Sequence, residues 1–306
     1  MLFRLGMIGL CLLAVTESAL AQKLVTPEFD GARAFSYLES ICAIGPRISG
    51  TPGMQKQQEL IEKHFTSLGA TVFSQDFDAV HPKTGEPVRM KNLIISWQPQ
   101  APRRVLVCCH YDTRPRPDRE PVPAHQDLPF IGANDGGSGV ALMMELGNQL
   151  AKLPVKPAVD FVIFDGEELV YEKTDKYFIG SEHFARAYRD RSPEHPQYTK
   201  GVLLDMVAGK NAQFFYELNS LKYAPEVTRE VWDTARRLGI REFKAVRKHE
   251  VLDDHLPLNQ IAGIPTCDVI DFDYPHWHRR NDLPAACSPV TLTKVGRVIS
   301  AWIAAQ

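Results

Sequence analysis

The sequence is poor in cysteine, and its cysteines are scattered. Six occur among 306 residues, none of them in a Cys-x-x-Cys spacing, and five remain beyond residue 21. An odd, dispersed set excludes a disulfide framework and a cysteine-based zinc knuckle, although one bridge stays possible in an oxidising compartment. Cys108 and Cys109 lie in an apolar run, so we expect them to be small buried hydrophobic side chains.

The sequence also lacks a strong net charge and a dense basic stretch. Its formal net charge is −2, and 24% of its residues are charged, as in an ordinary globular domain. Nucleic-acid-binding domains usually carry a basic patch or stripe. The charge balance therefore predicts that nucleic acids are not partners of this protein.

Long apolar runs are missing after the first 21 residues. No later run reaches the roughly 18 residues that a membrane-spanning helix needs. The N-terminus combines a basic residue, Arg4, with an apolar run at Leu5–Val15 and a small residue at Ala21, which is the pattern of a secretory signal peptide. We expect a signal peptide at residues 1–21 and a domain at 22–306 that is exported, periplasmic or secreted, without a membrane anchor.

Short apolar runs and helical periods alternate along the remaining chain. Val105–Cys109 and Val159–Phe164 have the length and composition of buried central strands, and Val140–Leu153 between them has the length of a helix. These three segments predict a βαβ unit. Further strands are predicted at Val72–Phe77, Asn92–Trp97, Val202–Leu204 and Pro265–Ile270, and a last helix with Ser288 as N-cap and Pro289 in its first turn.

The sequence contains no internal repeat, low-complexity tract or linker. We therefore predict one α/β domain with a mixed, largely parallel central sheet flanked by helices, an α/β/α sandwich. Ligands of such sheets bind outside the carboxyl ends of the strands. Candidate side chains follow the predicted strands or lie in loops: His110, Asp112, Asp135, Glu167, Glu168, Asp205 and His278. Imidazole and carboxylate groups form a donor set that suits zinc, with room for a second ion.

Taken singly, each of these residues could have a purely structural role. Asp112 lies two residues after His110, on the same side of an extended chain, and could accept the second N–H of that imidazole. Glu167 and Glu168 follow a buried strand, where two like charges need a compensating cation. One glutamate could bind the ion while its neighbour transfers protons.

Two further segments are candidates for binding or chemistry. Asp253-Asp254-His255 could begin a helix as a capping turn, because aspartate is common there. Trp277 precedes His278 in a loop rich in aromatic and polar residues, for which binding is more plausible than a structural role.

Together these segments resemble the zinc-dependent aminopeptidase family and, within it, the glutaminyl-peptide cyclotransferases. The resemblance covers essentially all of the chain beyond residue 21, and its specificity comes from the order of the motifs. The matching segments are Gly45-Pro46-Arg47, His110-Tyr111-Asp112, Gly132–Asp135, Phe164–Glu168, Gly180-Ser181, Asp205 and Trp277-His278.

The resemblance implies an enzyme that acts on the N-terminal ends of peptides or proteins. Asp135, Glu168 and His278 would bind zinc, and Glu167 would be the general acid/base. Members of the aminopeptidase branch hold two ions, and there the positions of His110 and Asp205 would complete a second site bridged by Asp135.

In the cyclotransferase branch the resemblance implies a single zinc ion. Asp205 and Asp253 would then form a carboxylate network with Glu167, and Trp277 would wall the pocket for a side-chain amide. The expected reaction converts an N-terminal glutamine to pyroglutamate and releases ammonia.

The segment Asp253–Leu258 favours the cyclotransferase branch, because it resembles that branch's Asp-Asp-His-Ile-Pro-Phe. Three differences leave the substrate open. Arg279 replaces the usual threonine, Leu169–Lys173 lacks a second tryptophan, and Val140 replaces the partner of a disulfide cysteine. The alternatives are a zinc aminopeptidase that hydrolyses N-terminal residues and a non-catalytic binding module of the same fold.

Overall fold

A computed structural model of the chain describes residues 28–153, 157–192 and 195–306. The predicted signal peptide and its cleavage site lie outside these residues. Within the described ranges, no helix has both the length and the apolar character that crossing a membrane requires.

The strands of the described residues form two sheets. They are β1 (Thr71–Val80), β2 (Pro87–Ser96), β3 (Arg103–His110), β4 (Val159–Phe164), β5 (Gln197–Asp205), β6 (Phe214–Tyr216), β7 (Phe243–Arg247) and β8 (Thr266–Ile270). The main sheet has six strands in the order β1-β2-β4-β3-β5-β8, and a small second sheet pairs β6 with β7. The pairs β1–β2 and β2–β4 are antiparallel, whereas β4–β3, β3–β5 and β5–β8 are parallel, which confirms the predicted mixed, largely parallel sheet.

Helices cover both faces of the main sheet. They are α1 (Gly31–Cys42), α2 (Pro52–Ser67), α3 (Ser138–Lys152), α4 (Ile179–Arg189), α5 (Leu218–Tyr223), α6 (Pro225–Arg237), α7 (His255–Pro257) and α8 (Pro289–Ala304). The larger apolar core joins one face to α1, α2, α3, α6 and α8, and a smaller core joins the other face to α4 and a π-helical turn at Leu258–Ala262.

Several local expectations are confirmed. The segments β3, α3 and β4 form the predicted parallel βαβ unit. At the start of α8, the Ser288 hydroxyl accepts the backbone N–H of Val290 at 3.2 Å, and Pro289 occupies the first turn. Cys108 and Cys109 are fully buried between the sheet and its helices. Both are free thiols, as are the other described cysteines, so the possible bridge is not formed.

The start of β2 differs from the prediction. The strand begins at Pro87 rather than Asn92, because its backbone pairs with β1 as far as Val80. The half that the prediction left out alternates apolar Val88 and Met90 with polar Arg89 and Lys91, as a strand does, and its pairing with β1 places the start at Pro87.

Candidate active site

The candidate site lies at the carboxyl edge of the parallel strands. His110 is the last residue of β3 and Asp205 the last of β5, while Glu167 and Glu168 follow the end of β4. The chain turns between β4 and the two glutamates at Gly166, whose φ of 69° is one that glycine adopts readily. The sheet therefore brings side chains from three strands to one place.

Asp135 is positioned by a buried carboxylate from another loop. Asp282 accepts the backbone N–H groups of Asn134 at 2.8 Å and Asp135 at 3.1 Å. The following residue, Gly136, has a φ of 81°, and a Cβ atom there would lie 2.4 Å from a backbone oxygen. Only glycine allows this close backbone approach next to Asp135.

Three buried residues form a first group of potential metal ligands. One donor atom from each of Asp135, Glu168 and His278 lies within 4.8 Å of the other two. His278 Nε2 is 2.8 Å from Glu168 Oε1 and 3.6 Å from Asp135 Oδ2. Asp135 Oδ2 is buried without a hydrogen-bond partner in the described chain. One imidazole and two carboxylates with an unpartnered oxygen fit a zinc ion.

A second group shares Asp135. Donor atoms of His110, Asp135 and Asp205 also lie within 4.8 Å of one another. His110 Nε2 is 3.2 Å from Asp205 Oδ1 and 3.3 Å from Asp135 Oδ1. The two oxygens of Asp135 thus face different groups, which is the arrangement a bridging carboxylate would have between two ions.

The outer side of the first group is held by Asp118 and Arg114. His278 Nδ1 lies 3.1 Å from Asp118 Oδ1, and the Arg114 guanidinium donates to both Asp118 oxygens at 3.0 and 2.9 Å. The backbone N–H of Arg114 donates to Glu168 Oε2 at 3.1 Å. Burial opposes ionisation of Asp118, but His278 and Arg114 outweigh it and hold the pKa of Asp118 well below its ordinary value.

Asp112 holds the glutamate pair through the backbone. Its two carboxylate oxygens accept the N–H groups of Glu167 at 3.1 Å and Glu168 at 2.8 Å. His110 Nδ1 lies 3.6 Å from Asp112 Oδ1, which is too long for the hydrogen bond proposed from the sequence. Asp112 therefore orients the two glutamates, and its contact with His110 is an ion-pair contact at most.

Glu167 is buried and lines the same cleft as Asp205 and Asp253, the expected members of its carboxylate network. Its Oε2 lies 3.8 Å from His110 Nδ1. Burial raises the pKa of Glu167 well above its ordinary value. His110 lowers this pKa, but Glu168 and Asp253 raise it further. Burial and the neighbouring Asp205 likewise raise the pKa of Asp253. Perturbed carboxyl groups of this kind are suited to taking up and returning protons.

These groups open into one cleft of about 630 Å³. Its lining includes Asp135, Glu167, Glu168, Asp205, Asp253, Trp277 and His278. The Trp277 ring centroid lies 4.5 Å from that of His278 and 4.7 Å from that of Phe272. The structure therefore collects the candidate ligand, acid/base and pocket residues around a single space, except for His110 and Asp112, which lie outside its lining.

Sequence reasoning missed the residues that support this site from loops. Arg114, Asp118 and Asp282 lie in segments without helical or strand periodicity, and each acts through partners distant in the chain. No local signal identified them, because a spacing of four residues brings side chains such as Arg114 and Asp118 together as a rule only on a helix, and this segment is a loop.

Comparisons with known proteins identify the family and the fold. The model of peptidase family M28 matches residues 92–303. The glutaminyl-peptide cyclotransferase of Gloydius blomhoffii is 25% identical over 295 residues, covering 84% of this chain and 76% of its own length.

Solved structures of two kinds share the fold. A glutaminyl cyclase from Fimbriiglobus ruber is 45% identical with a TM-score of 0.87, and the match covers 91% of this chain and 96% of that one. A leucine aminopeptidase precursor from Bacteroides thetaiotaomicron is 28% identical with a TM-score of 0.86, covering 92% and 99%. The backbone alone therefore does not separate cyclisation from hydrolysis.

Proposed function

The chain belongs to peptidase family M28 and is an enzyme, and we propose that it is a zinc-dependent glutaminyl-peptide cyclotransferase. The similarity to glutaminyl cyclases confirms the resemblance read from the sequence. The observation that carries the proposal is the convergence of Glu167, Trp277 and His278 on one cleft beside an unpartnered Asp135 oxygen. The substrate would be a peptide or protein with an N-terminal glutamine.

Asp135, Glu168 and His278 would hold the zinc ion. When bound, zinc supplies a Lewis acid that polarises the γ-carbonyl of the substrate glutamine. Asp118 and Arg114 fix His278 and Glu168 from behind, so the donor atoms are oriented before the ion arrives.

Glu167 would move the protons of the reaction. It takes a proton from the substrate α-amine as the amine attacks the γ-carbonyl, and it returns a proton to the departing ammonia. Burial raises the pKa of Glu167 and Asp253 acts in the same direction, while Asp205 raises the pKa of Asp253, so the carboxyl network would hold the proton taken from the amine until ammonia leaves. The nucleophile and the leaving group belong to the same residue, so no water takes part.

Trp277 would orient the side-chain amide of the substrate. Its indole lies between His278 and Phe272 on the cleft wall. A flat apolar surface next to the ligand histidine limits where a small amide group can rest and keeps it facing the ion.

An aminopeptidase is the second candidate, and the second ligand group favours it. His110, Asp135 and Asp205 could hold another ion. In that reaction Glu167 would act as the base for an attacking water, and the N-terminal residue would be released. One ion would accompany cyclisation, and two would be compatible with hydrolysis.

The sequence pattern of residues 1–21 supports a further part of the proposal, that this segment directs export of the enzyme and is then removed by cleavage after Ala21. Expression with the full chain should then give a periplasmic or secreted protein whose first residue is position 22. A protein retaining Met1 in the cell would contradict export.

The zinc site is tested by replacing His278 with alanine. We expect zinc content and ammonia release from a glutamine-initiated peptide to fall together, because one of three ligands is lost. His276→Ala in the same loop is the matched control, since His276 lies outside the cleft lining and should leave both quantities near the parent values. Full zinc occupancy in His278→Ala would remove His278 from the proposed ligand set.

A further inference from the structure

Arg119 is held at the rim of the cleft next to the proposed glutamine pocket. Its backbone N–H donates to the carbonyl oxygen of His278 at 3.2 Å. Its guanidinium carbon lies 3.6 Å from the ring centroid of Trp277, so the charged plane rests against the indole. Both contacts tie Arg119 to the two residues that would surround the substrate side chain.

The Arg119 guanidinium has no acidic partner among the residues that the structure describes. Arg114, which lines the same cleft, is in contrast paired with Asp118 and Glu168. Asp118 is next to Arg119 in the chain, but its oxygens face Arg114 and His278. The Arg119 side chain is exposed, so its N–H donors remain available to a ligand in the cleft.

The exposed charged residues of the cleft lining carry one net positive charge. Lys173 and Arg119 are exposed members of the lining, and Glu250 is an exposed acid of the same lining. The other acidic lining residues are the buried or half-buried groups of the metal site and its support. Arginine binds carboxylates in a planar two-pronged geometry, and stacking on an indole restricts the guanidinium orientation.

We propose that Arg119 forms a subsite for an acidic side chain, aspartate or glutamate, at the second position of the substrate peptide. The inference rests on the proposed function, which places the N-terminal glutamine beside Trp277 and His278. The following residue must then pass the rim where the guanidinium is held. The subsite would make the enzyme selective for the residue after the glutamine, in addition to the glutamine itself.

The test compares three amidated peptides, Gln-Glu-Ala, Gln-Ala-Ala and Gln-Lys-Ala, in which only the second side chain changes the charge. For the parent enzyme we expect kcat/KM to be about tenfold higher for the glutamate than for the lysine peptide, the factor that one charge-assisted hydrogen bond can give. Arg119→Gln should bring the two values within about twofold of each other. Arg119→Lys, which keeps the charge, should retain part of the preference.

Arg241→Gln is the control for the loss of one positive charge, because Arg241 is exposed and lies outside the lining of the cleft. This variant should keep the parent enzyme's ratio of kcat/KM between the glutamate and lysine peptides. Equal kcat/KM values of the parent enzyme for the glutamate and lysine peptides would overturn the subsite. So would an Arg119→Gln variant that loses the same factor on all three peptides, since Arg119 would then only support Trp277.

Failure of the proposed function has a different signature. If free glutamine appears instead of a pyroglutamyl peptide, the proposed cyclisation reaction is wrong. The ratio of kcat/KM between the glutamate and lysine peptides is then measured from the released glutamine. Affinities of the three peptides for the Glu167→Gln protein give the ratio without any turnover. A preference for the glutamate peptide that Arg119→Gln abolishes supports the subsite in either reaction. If the parent enzyme shows no such preference, the subsite is overturned.

Discussion

The two ring nitrogens of His278 face different carboxylates, and Asp118 lies on the side of Nδ1. Nδ1 lies 3.1 Å from Asp118 Oδ1, whereas Nε2 faces the other proposed ligands. His278 has a φ of 54°, which is uncommon for a residue other than glycine. The surrounding contacts therefore hold the ring in one orientation before any ion binds.

Replacing Asp118 with asparagine should weaken zinc binding while the fold is kept. The ring of His278 would lose its charged partner, and losses of this kind are about 10–100-fold in metal affinity. Competition with a chelator measures the change. Asp127→Asn, an exposed acid on the same loop, should keep the parent affinity. An unchanged zinc affinity in Asp118→Asn would show that Asp118 does not support His278 as a zinc ligand.

Replacing Glu167 with glutamine should leave zinc content intact and abolish most turnover. The amide has nearly the same shape but cannot transfer a proton, and such losses are about 10²–10⁴-fold in kcat. Steady-state kinetics and metal analysis on one preparation measure both quantities. The exposed Glu172→Gln is the control. A near-normal kcat with zinc retained would move the proton-transfer role to Asp205 or Asp253.

Glu217 supports the wall of the cleft through the backbone of Val251. Its Oε1 accepts the N–H of Val251 at 2.9 Å and that of Asn219 at 2.8 Å, and its Oε2 lies 3.4 Å from His255 Nε2. Val251 lines the cleft two residues before Asp253.

Glu217→Gln should therefore lower the free energy of unfolding by about 2 kcal/mol, because an amide nitrogen would face buried donors. Urea unfolding measures this loss. Glu242→Gln breaks a partly exposed pair with Lys294 and should cost less than about 1 kcal/mol. Equal effects of the two substitutions would contradict a special role for Glu217.

The metal-free protein should be more stable in mild acid than at neutral pH. Burial raises the pKa of Asp165, Asp254 and Asp282 to about 7 each, from an ordinary value of 3.8. A carboxyl group whose folded pKa is raised binds its proton more tightly in the folded state, so stability falls as pH rises from about 4 to about 7. Glu217, whose pKa is lowered to about 2 because His255 outweighs its burial, stays ionised throughout this window.

Thermal unfolding after chelation should thus give a higher Tm at about pH 5.5 than at about pH 7.5. Added zinc should raise Tm more at the higher pH, because its ligands must be deprotonated. A metal-free Tm that rises between these two pH values would contradict the raised pKa values.

The strands that carry the site could be predicted because a strand that is buried on both faces of a sheet is a nearly continuous apolar run in the sequence. β3 and β4 are nearly continuous apolar runs, and the polar residues directly after them, such as His110 and Glu167, stand out for that reason. The order of these motifs also sufficed to identify the superfamily.

The supporting residues could not be predicted, because their roles depend on contacts between distant segments. Asp118 meets His278 only after the sheet and the loops have assembled, and neither neighbourhood carries a periodic pattern. The same holds for the stacking of Arg119 on Trp277. Asp112 was identified as a site residue, but its partners are backbone N–H groups, which no side-chain pattern reveals.

The mass of the product formed from a glutamine-initiated peptide in heavy-oxygen water distinguishes cyclisation from hydrolysis most directly. Cyclisation breaks no peptide bond and uses no water. We expect a peptide that keeps every residue, is lighter by one ammonia and carries no heavy oxygen, while a leucine-initiated peptide is unchanged. A heavy-oxygen-labelled free amino acid from either peptide, without a pyroglutamyl product, would contradict the cyclotransferase and establish the aminopeptidase reaction.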